Sequence, residues 1–322
     1  MRAIVRDRFG GPDELHLGDI EQPAPGEDDV VIRVHASSVN SADLRILRAD
    51  PSISRFAFGL RTPKHRVLGR DVAGVVASVG AKVTRLRPGD RVFCEADDGA
   101  YAEFVRVPER FVATIPDSVP FEQAATLPLA GGTALQAVRA AGPIGPGSRV
   151  LVTGASGNVG LFAVQFAAAS GADVTAVCSG AKAGLVRTAG AGDVIDYRTQ
   201  DVTALDGRYD VVIDIAGDRP WSDLRRVLAP RGTLVLASGG GGPVLGPLPN
   251  IAGALVAAPF VPQKLTSLTA VRRREDLEEI AAMVASGEIT PLIDRVYPLG
   301  DVPEAFRRLE AGEARGKLVI AV

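Results

Sequence analysis

The stretch "RVLVTGASGNVGLFAVQFAAASGADVTAVCSG", from Arg149 to Gly180, decides the fold. Its first apolar run, Val150–Thr153, is typical of a short buried strand, and Asp173–Ser179 predicts a second one. Between them, Asn158–Ser170 places its apolar side chains on one face of a helix. A strand, a helix and a second apolar strand within some thirty residues predict a βαβ unit, and therefore a parallel sheet.

The heptad GASGNVG lies between the first predicted strand and the predicted helix, where a dinucleotide-binding turn needs its glycines. Gly157 would let the backbone approach a pyrophosphate, and Gly160 would let the helix pack closely on the strand. The N–H groups at the start of a helix bind phosphate. A glycine-rich turn without a ligand is the alternative, but the strand, the helix and the further βα units favour a dinucleotide. The predicted cofactor-binding residues of the turn are Gly154, Ala155, Ser156, Gly157, Asn158, Val159 and Gly160.

The end of the second strand predicts which dinucleotide binds. NAD sites place Asp or Glu there for the ribose hydroxyls, but this chain reads VCSGAK and has no carboxylate. Ser179 offers a hydroxyl and Lys182 a positive charge, which suit a 2′-phosphate. Tyr197, at the end of the third strand, would flank the same phosphate. An ordinary exposed lysine is the alternative for Lys182; the missing acid and the added base together favour NADPH.

The composition argues against several classes of protein. The chain has 322 residues, enough for two domains. A net charge of −2, without a basic stripe interleaved with aromatic residues, argues against nucleic acid and against an acidic membrane surface. Cys94 and Cys178 show no paired spacing, which disfavours a disulfide framework or a zinc cluster. The charged N-terminus and the lack of a long apolar run predict a cytoplasmic protein with no membrane span.

The sequence changes character twice along the chain. Residues 1–120 contain β-branched runs separated by Pro and Gly, which predict a β-rich domain. Residues 121–271 alternate apolar strands with helices, which predicts a parallel sheet covered on both faces. Residues 272–322 hold two helices and a closing strand that we expect to rejoin the first domain. The predicted fold class is therefore α/β, with a doubly wound domain inserted into a β-rich one. Segments 52–66 and 239–267 are predicted to be irregular.

Further segments carry a resemblance to a known family. They are SSVNSADLRI (37–46), LGRDVAGVVASVG (68–80), PGDRV (88–92), GAYAEFVRVP (99–108), AATLPLAGGTALQAV (124–138), VTGASGNVG (152–160) and RGKLVIAV (315–322). In this order they resemble the medium-chain dehydrogenase/reductase superfamily, in its zinc-free quinone-oxidoreductase-like branch. The resemblance covers essentially the whole chain. It implies a GroES-like catalytic domain, an inserted Rossmann domain and a homodimer.

The chain departs from the zinc-dependent members of that superfamily. They place a ligand cysteine near Val39–Asn40 and a His-Glu pair where this chain has Arg70-Asp71. A catalytic zinc steadies an alkoxide as a Lewis acid, so a plain alcohol dehydrogenase is disfavoured without it. A quinone or an α,β-unsaturated carbonyl instead takes the incoming charge onto its own oxygen. We therefore predict no metal site and an NADPH-dependent reductase of such small molecules.

The resemblance also implies roles for single residues. Asn40 matches an asparagine beside the nicotinamide and substrate, with an ordinary turn residue as the alternative. Asp43 is either a proton donor or a structural residue at a helix start. Related reductases often carry a tyrosine at the position of Arg45, and its absence leaves solvent as a possible proton source. The predicted catalytic residues are Asn40 and Asp43, and the remaining predicted cofactor contacts are Thr133, Ala237, Ser238, Gly239 and Lys317.

Two other functions stay open at this point. The segment VNSADL also resembles the enoylreductase part of polyketide synthases, which implies reduction of an enoyl thioester. Relatives of this branch also include cofactor-bound proteins without catalysis. Turnover of a thioester would favour the first, and tight cofactor binding without turnover would favour the second.

Overall fold

The computed structural model describes residues 1–204, 208–237, 242 and 244–322. Its strands are β1 (Arg2–Val5), β2 (His16–Asp19), β3 (Asp29–Val39), β4 (Asp71–Val79), β5 (Arg91–Glu95), β6 (Phe104–Pro108), β7 (Ala113–Thr114), β8 (Arg149–Thr153), β9 (Asp173–Cys178), β10 (Asp193–Asp196), β11 (Tyr209–Asp214), β12 (Leu228–Leu236), β13 (Lys264–Ser267), β14 (Ile293–Pro298) and β15 (Lys317–Ala321). Its helices are α1 (Ser41–Arg48), α2 (Arg55–Phe58), α3 (Phe121–Ala124), α4 (Pro128–Ala141), α5 (Asn158–Ala169), α6 (Ala183–Thr188), α7 (Trp221–Leu224), α8 (Leu248–Ala257), α9 (Arg274–Ser286) and α10 (Val302–Glu310).

The chain divides into two compact units. Unit 1 comprises Met1–Gly132 and Arg272–Val322, and unit 2 comprises Thr133–Val271. The sequence placed the first boundary after residue 120, whereas in the structure it lies after Gly132. The reason is packing: α3, which follows residue 120, lies against β3, β4 and β15 of unit 1.

Unit 1 is built on a mixed sheet that both ends of the chain complete. The strand order is β14-β15-β3-β4-β5-β7, and β6 also pairs with β3. β3 is the longest strand, and its apolar residues, such as Val30 and Ile32, are fully buried. The closing strand β15 pairs antiparallel with β3, with Val319 opposite Ser38. The C-terminal segment therefore belongs to the same sheet as the first part of the chain.

Unit 2 is a doubly wound sheet of parallel strands in the order β10-β9-β8-β11-β12-β13. The chain begins in the middle at β8, proceeds to β10, and then returns to β11 on the other side of β8. The core strands are apolar, with Leu151, Val212 and Leu234 fully buried. In such sheets, ligands bind outside the carboxyl ends of the strands where the order reverses, which here is between β8 and β11. The predicted α/β class with a doubly wound sheet is confirmed.

One part of the predicted layout is wrong. The segment 239–267, expected to be irregular, contains α8 and β13. The sequence LPNIAGALVA of α8 is apolar on all sides, so it lacks the polar face that reveals a helix. Its contacts with α7 and β13 identify it only after folding. Among the described residues no helix, α8 included, has the length and apolar character needed to cross a membrane.

Candidate cofactor and catalytic sites

The glycine turn connects β8 to α5 at the point where the strand order reverses. Gly154 has a φ of +60°, and a Cβ on it would lie 2.9 Å from the backbone nitrogen of Ala216. A Cβ on Gly160 would lie 2.3 Å from the carbonyl oxygen of Gly154, because α5 passes directly over the turn. The turn and the start of α5 therefore accept no side chain at these two positions.

The turn fits a pyrophosphate. Gly157 is the N-cap of α5, and a Cβ on it would meet only the Gly154 carbonyl oxygen, at 3.3 Å. The backbone is thus bare at the N-terminus of a twelve-residue helix, whose first N–H groups have no acceptor within the helix and carry partial positive charge. The other predicted residues of the turn, Ala155, Ser156, Asn158 and Val159, lie in the turn or in the first turn of α5.

A buried carboxyl group lies at the same edge of the sheet. Asp214 ends β11 opposite Thr153 of β8. Its Oδ1 accepts hydrogen bonds from the Thr153 hydroxyl at 2.6 Å and from the Gly217 N–H at 3.1 Å, while its Oδ2 is buried without a partner. Burial raises the pKa of Asp214, and these two hydrogen bonds oppose the rise. Sequence reasoning missed this group, although Thr153 and Asp214 are the polar residues that end two apolar strands.

The residues predicted to select the cofactor come together at the ends of β9 and β10. The Tyr197 N–H donates to the Cys178 carbonyl at 3.2 Å, and the Lys182 N–H donates to the Ser179 carbonyl at 2.8 Å. Ser179 is buried, whereas Tyr197 is 49% exposed. Ser179, Lys182 and Tyr197 therefore lie along one edge of unit 2, as the sequence predicted.

Two charged neighbours at this edge escaped the sequence analysis. A Cβ on Gly180 would lie 2.5 Å from Oδ2 of Asp196, so a carboxylate lies beside the end of β9 although β9 itself carries none there. The Arg198 guanidinium lies 6.0 Å from the centroid of the Tyr197 ring. Both groups belong to the end of β10 and the residues after it, and only the pairing of β10 with β9 brings them to the predicted phosphate site.

The remaining predicted cofactor contacts of unit 2 are less well defined. Thr133 is half-buried on α4. Ala237 follows β12, and its N–H donates to the Asp214 carbonyl at 2.9 Å, which places it at the edge that carries the glycine turn. Ser238 and Gly239 lie outside the described residues. Contact of any of these residues with a cofactor stays a prediction.

Unit 1 contains a buried polar network centred on Asp71. Its Oδ2 accepts hydrogen bonds from the Ser38 hydroxyl at 2.5 Å, from Nδ2 of Asn40 at 2.8 Å and from Nζ of Lys317 at 3.1 Å. Its Oδ1 accepts the Leu129 N–H, at the start of α4, at 2.8 Å. One carboxylate thus joins β3, β4, β15 and α4, and we call this set of five residues the Asp71 network.

Asn40 and Lys317 are held inside that network. Nζ of Lys317 donates to Oδ1 of Asn40 at 2.8 Å, so both ends of the Asn40 amide have protein partners. Each residue is only 1% exposed. A role of Asn40 beside the substrate and a contact of Lys317 with the cofactor stay predictions. What the structure adds is a salt bridge between Lys317 and Asp71.

Asp43 lies next to the network, in the first turn of α1. Its Oδ2 accepts the Asn40 N–H at 3.0 Å and the Tyr101 hydroxyl at 2.9 Å, while its Oδ1 is buried without a partner. Burial and the nearby Asp71 raise the pKa of Asp43 to about 7, although the Tyr101 hydrogen bond opposes the rise. Burial, with the Asp43 charge, also raises the pKa of Tyr101. The structural role considered for Asp43 is thus present, because the carboxyl group caps α1.

The predicted lack of a metal site was compared with the side chains that the structure describes. Within residues 1–204, 208–237, 242 and 244–322, no group of three or more His, Cys, Asp or Glu side chains is arranged to hold a metal ion. At the positions where zinc-dependent relatives carry ligands, this chain has Asn40, bound to Lys317, and the pair Arg70-Asp71. Independence from zinc stays a prediction.

Comparisons with known proteins connect both units to one family. The profile described as "Alcohol dehydrogenase GroES-like domain" matches residues 26–117, and "Zinc-binding dehydrogenase" matches residues 189–320. The mitochondrial NAD(P)H oxidoreductase RTN4IP1 of Bos taurus is 34% identical and aligns over 100% of this chain and 89% of its own length. The chloroplastic quinone-oxidoreductase QR1 of Triphysaria versicolor is 30% identical over 99% of this chain and 98% of its own.

A solved structure agrees with these relatives. The quinone oxidoreductase of Escherichia coli, complexed with NADPH, superimposes with a TM-score of 0.85 at 28% identity, over 100% of both chains. The chain belongs to the medium-chain dehydrogenase/reductase superfamily. Within it, the relatives place the chain in the quinone-oxidoreductase-like branch. The predicted combination of a GroES-like domain and a Rossmann-like domain is confirmed.

The Asp71–Lys317 salt bridge yields a stability prediction. Lys317→Met would leave the Asp71 carboxylate buried without its cation, which should lower the free energy of unfolding by about 3–5 kcal/mol. Chemical denaturation followed by fluorescence measures the change. Lys82→Met is the control, because Lys82 pairs with Glu27 at the exposed surface and the loss of such a pair changes little.

A double variant separates this interaction from a general packing defect. Asp71→Asn combined with Lys317→Met removes both charges, so it should lose less stability than the two single losses added together. Equal effects of Lys317→Met and Lys82→Met, or strict additivity in the double variant, would contradict the buried pair.

Proposed function

We propose that this protein is an NADPH-dependent reductase of quinones or α,β-unsaturated carbonyls that works without zinc. The single observation that carries the proposal is the bare glycine turn, which lies at the reversal point of a doubly wound sheet. The names of the relatives support the coarser statement that the chain is an oxidoreductase using NAD(P)H. The narrower choices of cofactor and acceptor rest on the arguments that follow.

The charges at the ends of β9 and β10 support NADPH. Lys182 and Arg198 provide two positive charges and Ser179 a hydroxyl for a 2′-phosphate, and such charge-assisted contacts are the strong ones. Asp196 is the opposing group, because its carboxylate would repel a phosphate and accept from a ribose hydroxyl. The two cations outweigh the one acid. The E. coli quinone oxidoreductase was solved with NADPH, which agrees with this choice.

The acceptor class follows from which charge has to be stabilised. When bound, the reduced nicotinamide supplies a hydride. A quinone or an enone accepts that hydride at carbon and spreads the negative charge onto its own oxygen, so it needs less Lewis-acid help than a simple ketone. In the region where zinc-dependent relatives bind the metal, this chain has the Asp71 network, whose acid is already neutralised by Lys317. The name of the Triphysaria relative, a quinone-oxidoreductase, agrees.

The predicted homodimer and cytoplasmic location stay proposals. Side chains of α8 and of the residues after it are exposed although apolar: Leu255 is 51% exposed, Val256 72% and Phe260 85%. They support a contact surface for a second copy of the chain. The two sequence relatives described above are chloroplastic and mitochondrial proteins, so the cytoplasmic location rests on the sequence alone.

The proposed activity predicts a specific ranking of acceptors. The purified protein should oxidise NADPH in the presence of a ubiquinone analogue or cyclohexenone, and should do so much more slowly with cyclohexanone, because the saturated ketone cannot delocalise the charge. The absorbance of NADPH measures turnover. Turnover with simple ketones or alcohols alone would contradict the proposal, preference for an enoyl thioester would favour a biosynthetic enoyl reductase, and binding without turnover would favour a non-catalytic protein.

The proposed cofactor preference makes Lys182 and Asp196 change affinity in opposite directions. Lys182→Ala should weaken NADPH binding by about 10- to 100-fold, the value of a charge-assisted hydrogen bond, and leave NADH binding nearly unchanged. Asp196→Asn should tighten NADPH. Fluorescence titration of both cofactors measures this, with the exposed Lys64→Ala in unit 1 as the matched control. Tighter binding of NADH by the unmodified protein, or equal loss of both cofactors in Lys182→Ala, would contradict the assignment.

A further inference from the structure

An ion pair with partial access to solvent lies directly beside the Asp71 network. Arg70 precedes β4, and Glu95 ends β5, opposite Asp71 in the strand register. The Ala96 N–H donates to the Arg70 carbonyl at 2.7 Å, so the backbone fixes the two residues next to each other. None of the functional residues predicted from the sequence includes this pair.

The side chains of the pair leave hydrogen-bonding capacity unused. The Arg70 guanidinium contacts Oε1 of Glu95 at 2.6 Å, and the side chains are 27% and 16% exposed, respectively. Nε of Arg70 is buried without a partner. Among the described residues no hydrogen bond engages the other carboxyl oxygen of Glu95. A ligand can therefore reach a carboxyl group whose orientation Arg70 already holds.

The charges around Glu95 keep the carboxyl group near the point of half-protonation at neutral pH. Burial raises the pKa of Glu95 to about 7, with Asp71 and Asp43 adding to the rise, while Arg70 and Arg272 lower it. Arg272 comes from the segment before α9 and donates to the Glu95 carbonyl at 3.4 Å. Glu95 can thus hold a proton at neutral pH and release it at little cost, which is what a general acid requires.

Two other carboxyl groups of unit 1 have the same pKa but not the same access. Asp43 is completely buried, with its Oδ2 already bound by Tyr101. Burial also raises the pKa of Asp98 to about 7, but Asp98 lines a groove with Lys64, His65 and Arg66 that includes neither Arg70 nor Glu95. Glu95 alone among the three combines access with a fixed guanidinium.

We propose that Glu95 is the general acid that completes the reduction, and that Arg70 orients its carboxyl group. This role rests on the proposed function, which otherwise leaves the source of the proton unassigned. Both residues are absent from the sites predicted from the sequence.

The proposed step balances in atoms and electrons. The hydride of the reduced nicotinamide adds to the β-carbon of an enone, and the C=C electron pair moves to give an enolate. The O–H bond of Glu95 then breaks, its proton bonds to the α-carbon, and the carboxylate left behind is stabilised by Arg70. One acceptor, one NADPH and one proton give the saturated carbonyl and NADP⁺, and solvent returns the proton to Glu95.

Glu95→Gln tests the role because it keeps the shape of the side chain and removes the acid. With cyclohexenone, kcat should fall by about 100- to 10,000-fold, with little change in KM. The unmodified enzyme should lose kcat as the pH rises above about 7, since only the protonated carboxyl group donates, and the variant should lose this dependence. Asp98→Asn, which removes a carboxyl group of similar pKa, is the control and should retain both rate and profile.

A stereochemical readout distinguishes proton donation from a structural defect. With a cyclohexenone that carries a methyl group on its α-carbon, a fixed acid delivers the proton to one face, so the unmodified enzyme should give mainly one enantiomer. Glu95→Gln should give a nearly racemic α-carbon, because solvent protonates either face. Fluorescence titration should show that the variant still binds NADPH.

The outcomes separate the two proposals. Turnover by the unmodified enzyme with unchanged kcat, pH profile and enantiomer ratio in Glu95→Gln would overturn the role of Glu95 and leave the proposed function intact. A variant that loses NADPH binding together with rate would also overturn the role, since the defect would then be structural. No turnover of any acceptor by the unmodified enzyme would overturn the proposed function and the acid with it.

Discussion

The Asp71 carboxylate and the Lys317 ammonium, 246 positions apart in the chain, meet at 3.1 Å with almost no exposure to solvent. Neither charge is tolerable in the interior alone, so each requires the other. The pair obliges β15 to return to β3 and β4, and through Leu129 it also fixes the start of α4. The discontinuous architecture of unit 1, in which the last strand completes the first sheet, depends on this one buried contact together with the apolar packing around it.

Unit 2 depends on a different constraint, the absence of side chains. Where unit 1 satisfies its polar groups internally, the turn between β8 and α5 leaves backbone N–H groups without side chains over them, and Asp214 retains one buried oxygen without a partner. A fold that leaves polar groups unpaired at one edge of a sheet gains from binding a ligand there. The contrast between a self-satisfied network in one unit and an unsatisfied edge in the other explains why we assign the dinucleotide to unit 2.

The sequence was sufficient wherever the determining contacts are local. Strand β8, helix α5 and the glycines between them are recognisable because apolar periodicity and missing side chains act within a few residues. It was insufficient where distant segments meet: Asp196 reaches Gly180 only through the pairing of β10 with β9, and Glu95 reaches Arg70 only through the pairing of β5 with β4. The helix α8 was missed for a third reason, since its uniformly apolar residues carry no periodic signal.

The central claim is that the protein transfers a hydride from NADPH to the carbon of an activated acceptor and adds a proton from an acid of its own. The most direct test is to follow isotopes through one turnover of cyclohexenone. With NADPH deuterated at the transferred position, the account predicts one deuterium at the β-carbon of the product; with unlabelled NADPH in heavy water, it predicts one at the α-carbon. A saturated product without label from the cofactor, or NADPH consumption without any saturated product, would contradict it.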